Sequence, residues 1–574
     1  MADESWIIDT KPSHRFPVYT RMNANDVLPD PITPLGASLG WDPQMLQGWA
    51  VGYAATGGFT LAELSVDQPP TGAFFYGHLY ANATAARLMG IRSGLPVELV
   101  DRLWFGAHPD MPPHVPSDDD LNPVLAEALA ARTSWVLSTA SYPELEEERR
   151  IADRLRKERP DLASLSSLAL TARARSVVPL ERLTWRGEVG ATNGAAVGPA
   201  VLGQLLGAEE SALVLRITGA AGDVDSAAPS FALWDLSRLV RADARLSAAF
   251  DAGVPRLAGR LPNAHPEFAR RFATFLRDFG YRGPNEWDLG SDSWETRPEL
   301  PLALVDRLRH LDDGASPAIR QQRQSVETEA ATAEALAKIG DDAGTVSAFS
   351  AALASSGRFA AWRERAKTNC IKVLHEARVA LDELARRLHA EGRLESPRHL
   401  FMATDAELDI VVIEPESIAS TLAAREKEWL GLFSLEVPMW LDATEPLPPL
   451  SSLRPAAEAV PEDAKPGDVL TGVGASAGVG RGRARVILST DAIGDFEPGE
   501  VLVAPQTDPS WTPLFMLSAA TVVDVGAAGS HAMIVSRELG IPCAAGVAGA
   551  SRRIRTGSLV EVDGSAGTVA ILEG

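Results

Sequence analysis

The chain has 574 residues, of which 45% are hydrophobic and 23% are charged, and its formal net charge is −22. This length exceeds what one hydrophobic core usually organises, so two or three domains are expected. The negative charge, without a dense Lys/Arg segment to offset it, argues against a nucleic-acid partner.

Neither secretion nor membrane insertion is predicted from the sequence. The N-terminus, Met1–Ser5, lacks a basic region followed by an apolar one, and no apolar run reaches the length of about 18 residues that a membrane span needs. The two cysteines, Cys370 and Cys543, are far apart in the chain. We expect two free thiols in a reducing cytoplasm, with a single disulfide as the alternative.

Helices are predicted for most of the first 442 residues. Apolar residues recur at helical spacing in four segments, namely 230–251, 266–280, 316–338 and 358–392. The Gly- and Ala-rich segment 187–207 is predicted to be a closely packed helix. Ordered loops are predicted at 29–40, 106–123 and 281–294. This part of the chain is therefore expected to be a large, mainly α-helical domain.

A Pro-rich linker is predicted at residues 443–470. The stretch contains six prolines and little hydrophobic periodicity, and proline favours an extended, semi-rigid backbone. After it, short Val/Ile runs alternate with Gly-rich turns. These runs predict strands at 482–488, 501–505, 520–525, 559–563 and 568–572. Residues 471–574 are therefore expected to form a small α/β domain.

A helix is predicted from Ser530 to Leu539, and His531 occupies its first position. Ser530 is a favoured N-cap residue, and Gly540 and Pro542 supply the stop. The unpaired N–H groups of a helix N-terminus can bind an anion, and the helix dipole favours the neutral, nucleophilic form of a histidine there. His531 is thus a candidate phosphoryl carrier, with a capped surface histidine as the alternative.

The residues around His531 closely resemble the swivelling phosphohistidine domain of the phosphoenolpyruvate-utilising (PEP-utilising) enzymes. The resemblance extends from about Gly472 to the C-terminus. It rests on three runs: Thr-Asp-Pro-Ser-Trp-Thr-Pro-Leu-Phe at 507–515, Val-Gly-Ala-Ala-Gly-Ser-His-Ala at 525–532 and Ile-Val-Ser-Arg-Glu-Leu-Gly-Ile-Pro at 534–542. The resemblance implies that His531 accepts the phosphoryl group. It also implies supporting roles for Thr507, Asp508, Gly529, Ser530 and Arg537.

The chain departs from the family's pattern just before His531. The family usually has Gly-Gly and a bulky residue there, whereas in this chain Gly526 is followed by Ala527, Ala528 and Gly529. This departure favours an alternative function, a non-catalytic binding or regulatory protein that retains the scaffold without phosphoryl transfer.

The helical part resembles, more weakly, the substrate-binding domain of rifampicin phosphotransferase and its relatives. Arg363 and Lys367 match an Arg/Lys pair that in that family helps to hold the travelling phosphoryl group, and their spacing puts both cations on one helix face. The alternative is a solvated basic face. The resemblance further suggests substrate-binding roles for Asn25, Asp26, Arg282 and Glu286. For the last two, a structural pair that closes a loop is at least equally favoured.

Together these resemblances imply an α+β multidomain phosphotransferase component, with a helical substrate-binding domain (1–442), a linker (443–470) and a phosphohistidine swivel domain (471–574). Complete enzymes of the family carry an ATP-grasp domain or a C-terminal barrel. Neither pattern is recognised in this sequence, which ends about 40 residues after His531. As in phenylphosphate synthase, we expect a separate ATP-grasp partner that uses ATP with Mg²⁺ to load His531. The expected acceptor is a hydroxyl of a small organic molecule, with no tightly bound cofactor or metal.

A serine hydrolase is a further alternative, because residues 474–478 fit the G-x-S-x-G pattern around Ser476. A nucleophile elbow needs a strand before the serine and a helix after it. A turn and then a strand are predicted after Ser476, so we expect no reactive serine there.

Overall fold

The computed structural model describes residues 5–22, 24–64, 71–105, 110–207, 210–219, 225, 227–455, 462–488, 496–507, 511–526 and 530–574. The chain forms two compact units, each built from separate segments. Unit 1 consists of Met1–Gly194, Asn285–Ser291 and Arg365–Val460, and unit 2 consists of Ala195–Pro284, Asp292–Glu364 and Pro461–Gly574. Both units contain parts of the helical region, and the predicted domain boundaries at 442 and 470 stay a prediction.

A large helical region and a small C-terminal α/β region confirm the predicted fold class. The α-helices are α1 (Leu46–Ala55), α2 (Ala83–Arg92), α3 (Val97–Phe105), α4 (Pro123–Ser138), α5 (Pro143–Lys157), α6 (Ser167–Val177), α7 (Glu181–Leu206), α8 (Ser211–Ile217), α9 (Ala228–Ala242), α10 (Ala244–Asp251), α11 (Leu261–Ala264), α12 (Pro266–Phe279), α13 (Glu299–Leu308), α14 (Pro317–Ile339), α15 (Ala343–Ala390), α16 (Asp405–Ile413), α17 (Ala419–Leu432), α18 (Thr512–Leu517), α19 (His531–Leu539) and α20 (Ala550–Arg553). Among the described residues, none of the helices has the length and apolarity needed to cross a membrane.

Each unit contains one sheet. Unit 1 has a four-stranded antiparallel sheet in the order β2-β3-β1-β4, formed by β1 (Val18–Thr20), β2 (Gly72–Phe75), β3 (His78–Asn82) and β4 (Trp440–Asp442). Unit 2 has an eight-stranded sheet in the order β5-β12-β11-β7-β8-β9-β10-β6, formed by β5 (Val469–Thr471), β6 (Val473–Ser476), β7 (Val479–Val486), β8 (Val501–Ala504), β9 (Ala520–Val523), β10 (Cys543–Ala545), β11 (Leu559–Asp563) and β12 (Thr568–Glu573). Its strands β7 to β10 are parallel, and α19 lies between β9 and β10 in the chain.

Two sequence predictions for the helical region need correction. Helical backbone begins at Pro34, and residues from Gly36 to Met45 form wide, π-type helical turns that run into α1, so the loop predicted at 29–40 is wrong from Pro34 onward. The single helix predicted at 230–251 is two helices, because Asp243 leaves the helical conformation (φ −114°, ψ 110°). Its carboxylate accepts hydrogen bonds from the backbone N–H groups of Arg245 (2.8 Å) and Leu246 (3.1 Å), which starts α10 anew.

The first half of the predicted linker is part of unit 1. Leu447 and Leu450 pack against the apolar side chains next to the small sheet, and the Tyr76 hydroxyl donates to the carbonyl oxygen of Pro448 at 2.8 Å. The second half joins unit 2, where the N–H of Gly467 donates to the carbonyl oxygen of Ile571 at 2.8 Å. The described parts of the linker are therefore attached to folded structure at both ends.

The core of unit 2 is shared between helices and the C-terminal sheet. Phe272 and Phe275 stack with ring centroids 6.1 Å apart, and they belong to the same buried cluster as Phe515 and Met533. A guanidinium nitrogen of Arg320 also donates to the carbonyl oxygen of Met516 at 2.9 Å. The helical segment 233–308 and the segment 475–545 therefore bury apolar surface in one cluster.

A buried ion cluster stabilises unit 1. The Glu376 side chain on α15 has no exposed surface, and its oxygens accept hydrogen bonds from Arg159 (2.6 and 2.9 Å) and Arg173 (3.1 Å). A third cation, Arg156, lies 3.6 Å from Glu376 Oε1. One carboxylate is thus the shared counter-ion of three guanidinium groups that are themselves largely buried.

Replacing Glu376 by alanine should leave these buried cations without their counter-ion. We expect Glu376→Ala to lower the free energy of unfolding of unit 1 by about 3–5 kcal/mol, the usual cost of breaking a buried pair. The control is Asp382→Ala on the same helix, which removes a partly exposed pair with Arg386 and should cost less than about 0.5 kcal/mol. Calorimetry of the full chain compares the two variants, and equal effects would contradict the assigned role of Glu376.

Candidate active site

His531 begins α19, as predicted, and only 5% of it is exposed. Ser530 before it has extended backbone angles (φ −67°, ψ 154°), which suit an N-cap. At the other end, Gly540 takes the left-handed conformation (φ +61°, ψ 38°), which glycine adopts without steric cost. The helix limits therefore follow from the residues at its two ends.

Two threonine hydroxyls hold the imidazole ring. Thr507 Oγ1 lies 3.0 Å from Nδ1, and Thr512 Oγ1 lies 3.2 Å from Nε2. Phe515 packs edge-on against the ring, with centroids 5.8 Å apart. A hydroxyl can donate or accept, so the threonines satisfy either neutral tautomer, with a donor nitrogen on one side of the ring and a lone pair on the other.

No described side chain caps the N-terminus of α19 beside the imidazole ring. Ser530 makes no side-chain cap bond, and its Oγ, although buried, has no hydrogen-bond partner within the described residues. The carbonyl oxygen of Ser530 accepts the first hydrogen bond of the helix, from the N–H of Ile534 at 3.1 Å. A hydroxyl and first-turn N–H groups therefore lie next to His531, which is the arrangement that binds phosphate oxygens.

The loop before His531 is described only in part. A Cβ added at Gly526 would lie 3.0 Å from Ala545 Cβ and 3.1 Å from Ser530 Oγ, so glycine leaves needed space there. Two predicted supporting residues, Asp508 and Gly529, lie outside the described residues.

Arg537 ties α19 to the sheet. Its Nε donates to the carbonyl oxygen of Ala475 on β6 at 2.7 Å. Burial lowers the pKa of the Arg537 guanidinium to about 10, and the like charge of Arg363 acts in the same direction. Arg537 is six residues after His531, about 9 Å along the helix axis, so the observed contact is with the sheet. A direct role of Arg537 at the phosphoryl group stays a prediction.

Arg363 lies near the second half of α19. It is 8% exposed, and its guanidinium is 3.5 Å from Glu364 Oε1. Burial raises the pKa of the Glu538 carboxyl on α19 well above its ordinary range, and Glu364 acts in the same direction. Lys367 follows one turn later on α15, is half-buried and belongs to unit 1, whereas Arg363 belongs to unit 2.

Three of the other predicted substrate-binding residues, Asn25, Arg282 and Glu286, are buried. Asn25 is 6% exposed, and its Oδ1 has no hydrogen-bond partner in the described part of the chain, which excludes the Asp26 side chain. Arg282 in unit 2 and Glu286 in unit 1 are each 1% exposed. The carbonyl oxygen of Arg282 accepts from the N–H of Trp294 at 2.7 Å, which shapes the predicted ordered loop 281–294.

The structure adds two features to those chosen from the sequence. Thr512 contacts the imidazole. It lies within the 507–515 run that carries the family resemblance, so that run could have identified it. Asp524, at the end of β9, accepts a hydrogen bond from the N–H of Ser551 at 2.7 Å, and burial raises the pKa of its carboxyl to about 6. No pattern in the sequence pairs these two distant residues.

Ser476 lacks the setting of a hydrolase nucleophile. It ends the edge strand β6, is 4% exposed, and donates to the carbonyl oxygen of Ser536 at 3.1 Å. A glycine turn and β7 follow it, as predicted, instead of a helix. Across the described residues, no group of three or more His, Cys, Asp or Glu side chains is arranged to hold a metal ion.

Two regions of the chain match known protein families. Residues 496–567, which contain His531, match the mobile domain of PEP-utilising enzymes. Residues 189–364, which end just after Arg363, match the fourth domain of rifampicin phosphotransferase.

Several curated proteins are similar to this chain over part of their own length. The chain is 31% identical to the prodigiosin synthesizing transferase PigC of Serratia marcescens over 54% of the chain and 34% of the relative. It is 30% identical to the rifampicin phosphotransferase of Streptomyces sviceus (52% and 34%) and 27% identical to the uncharacterised phosphotransferase YvkC of Bacillus subtilis (59% and 41%). The chain thus spans about a third of the length of the first relatives that it matches. The two matched domains and these relatives together show that the chain is similar to PEP-utilising enzymes.

Proposed function

We propose that the chain is a phosphotransferase component in which His531 carries the phosphoryl group to a hydroxyl of a small organic molecule. The observation that carries the proposal is the position of His531, at the start of α19 with its imidazole between the hydroxyls of Thr507 and Thr512. The phosphotransferases among the relatives support the same class of reaction.

In the first step, the lone-pair nitrogen of the neutral imidazole attacks the phosphorus of the donor. An N–P bond forms while the P–O bond to the donor's leaving group breaks, and that oxygen keeps the electron pair. The Thr507 hydroxyl accepts from Nδ1–H, so Nε2 is the attacking nitrogen and its contact with Thr512 is replaced by the phosphoryl group. The Ser530 hydroxyl and the first-turn N–H groups then bind the phosphoryl oxygens.

In the second step, the acceptor's hydroxyl oxygen attacks the phosphorus in line with the N–P bond. The N–P bond breaks, and the ring nitrogen regains its electron pair and takes up the hydroxyl proton. Arg363 and Lys367, on one face of α15, stabilise the charge on the phosphoryl oxygens. Positioning and electrostatics thus supply most of the catalysis.

We further propose that a separate ATP-grasp protein loads His531, using ATP with Mg²⁺, and this part of the proposal rests on the resemblance of the sequence to phenylphosphate synthase. We also propose that Asn25 or Asp26 faces the acceptor hydroxyl, and that Arg282 and Glu286 either bind the substrate or form a structural pair that closes a loop. The free, buried thiols of Cys370 and Cys543 are consistent with a cytoplasmic protein.

Replacing His531 should abolish loading. We expect His531→Ala to show no phosphohistidine after incubation of the full chain with ATP and a candidate ATP-grasp partner, while the circular dichroism spectrum is unchanged. Peptide mass spectrometry under neutral-to-alkaline conditions, which preserve phosphohistidine, measures the added phosphate. The control is His310→Ala, which removes an exposed histidine and should load like the unaltered chain.

Uptake of phosphate by the His531→Ala variant would refute the mechanism. If the unaltered chain takes up no phosphate from a partner shown to be active, that result would support the alternative function, a non-catalytic binding or regulatory protein on the same scaffold.

Removing the hydroxyl that orients the ring should slow loading without preventing it. We expect Thr507→Val to lower the loading rate about tenfold, which corresponds to the loss of one hydrogen bond that fixes the tautomer. Quenched-flow mass spectrometry gives the rate. An unchanged rate would show that Thr507 does not select the attacking nitrogen.

Arg363 and Lys367 should act after loading. We expect Arg363→Met and Lys367→Met each to slow transfer from phosphohistidine to the acceptor by about 10²–10³, the usual cost of one charge-stabilising donor, while the extent of loading stays the same. The loss of phosphate from the loaded chain is followed with a panel of alcohols and phenols. Lys372→Met is the control, because Lys372 on the same helix pairs with Asp153 at 2.7 Å. Equal rates in all three variants would assign Arg363 and Lys367 to a solvated basic face.

A further inference from the structure

Unit 1 contains a cavity of about 500 Å³, a volume typical of small-molecule sites. Residues of α1, α4, α5 and α7 line it. Two glycines of α7 keep it open. A Cβ at Gly187 would lie 2.2 Å from Glu148 Oε2, and one at Gly190 would lie 2.4 Å from the Tyr142 hydroxyl. Any larger residue at these positions would displace a polar group of the cavity.

Glu148 is the unusual residue of this cavity. It lies on α5, is 1% exposed, and neither of its carboxyl oxygens has a hydrogen-bond partner among the residues that the structure describes. Burial raises the pKa of the Glu148 carboxyl to about 8, against the opposing charge of Arg186 and with a smaller contribution from Glu144. A neutral carboxyl at pH 7 offers one O–H donor, and leaving that donor unpaired is costly.

Two cations line the same cavity. The Arg132 guanidinium lies 3.9 Å from the centre of the Trp135 ring and donates to the Tyr142 hydroxyl at 3.3 Å. Arg186 acts on Glu148 through its charge without a recorded hydrogen bond to it. With Glu148 neutral, these two cations outnumber the carboxylate of Glu144, so the cavity favours an anion over a cation.

We propose that this cavity binds a small organic carboxylate. The ligand's carboxylate accepts a hydrogen bond from the Glu148 hydroxyl and pairs with Arg186, and its apolar body packs near Trp135. This pairing satisfies the buried donor and uses the positive charge of the cavity. The proposal does not depend on phosphoryl transfer, because binding can be measured without any phosphoryl donor.

Binding should weaken as the pH rises through 8, because ionised Glu148 repels a carboxylate. The charged groups that line the cavity with Glu148 are Arg132, Arg186 and Glu144. Burial raises the pKa of the Tyr142 hydroxyl and of the Cys370 thiol, which keeps both neutral, and Glu144 is exposed. A single titration near pH 8 reduces the affinity about tenfold between pH 6.5 and pH 9.

Three probes of one shape and different charge test the proposal: benzoate, benzamide and benzylamine. Isothermal titration calorimetry with the full chain at pH 6.5 should show that benzoate binds at least about tenfold more tightly than benzamide, and that benzylamine does not bind. Benzylamine binding more tightly than benzoate, or no binding of benzoate at millimolar concentration, would overturn the proposal.

Matched variants locate the binding in this cavity. Glu148→Gln keeps a neutral donor, so we expect it to bind benzoate at pH 6.5 and to lose the pH dependence. Arg186→Gln should weaken binding at least about tenfold. The control is Arg149→Gln, which removes the same charge from an exposed residue of α5 and should bind normally. An unchanged pH dependence in Glu148→Gln, or equal effects of Arg186→Gln and Arg149→Gln, would also overturn the proposal.

Discussion

The position of His531 depends on interactions at the opposite end of its helix. The left-handed conformation of Gly540 lets the chain turn back, so that the N–H of Ile541 donates to the carbonyl oxygen of Ser536 at 2.9 Å. The chain then enters β10, the parallel neighbour of β9, and Arg537 fixes the same turn to β6. With its C-terminal half held at these points, α19 presents its first turn, and with it the imidazole, to the threonines that follow β8 and begin α18.

The charges on α19 connect the C-terminal α/β region to the helical part of unit 2. Arg537 lies near Arg363, and Glu538 lies near Glu364. Each pair carries like charges, so its two members repel each other when both are ionised. Burial relieves part of this repulsion, because it raises the pKa of the Glu538 carboxyl and so favours its neutral form. An anion delivered to Arg363 would meet a positive environment that includes Arg537.

The sequence predicted the elements whose signals are local. The ends of α19 follow from Ser530 and Gly540, and β11 was predicted residue for residue because Leu559–Asp563 alternates apolar and polar side chains. The break at Asp243 was missed, although a favoured cap residue stands there, because the helical periodicity continues across it. The continuous helical spacing of apolar residues thus concealed the cap, which the backbone angles of Asp243 show.

Features that depend on distant segments could not be predicted. The strands of the small sheet have three to five residues each, and β4 comes from some 360 residues after β3 along the chain, so no local periodicity marks them. The same holds for the cavity around Glu148, which is one of several glutamates on a charged helix. The burial of Glu148 arises because Gly187 of α7 leaves room for its carboxyl group, and that pairing exists only in three dimensions.

The shared core of unit 2 has a calorimetric consequence for any movement of the C-terminal α/β region. Phe272 and Phe275 lie in the same apolar cluster as Phe515 and Met533, so separating these groups would expose hydrocarbon to water. Hydration of apolar surface raises the heat capacity. An α/β region that leaves this position would therefore do so with a positive heat-capacity change, and the population of the released state would vary with temperature along a curve instead of a straight van 't Hoff line.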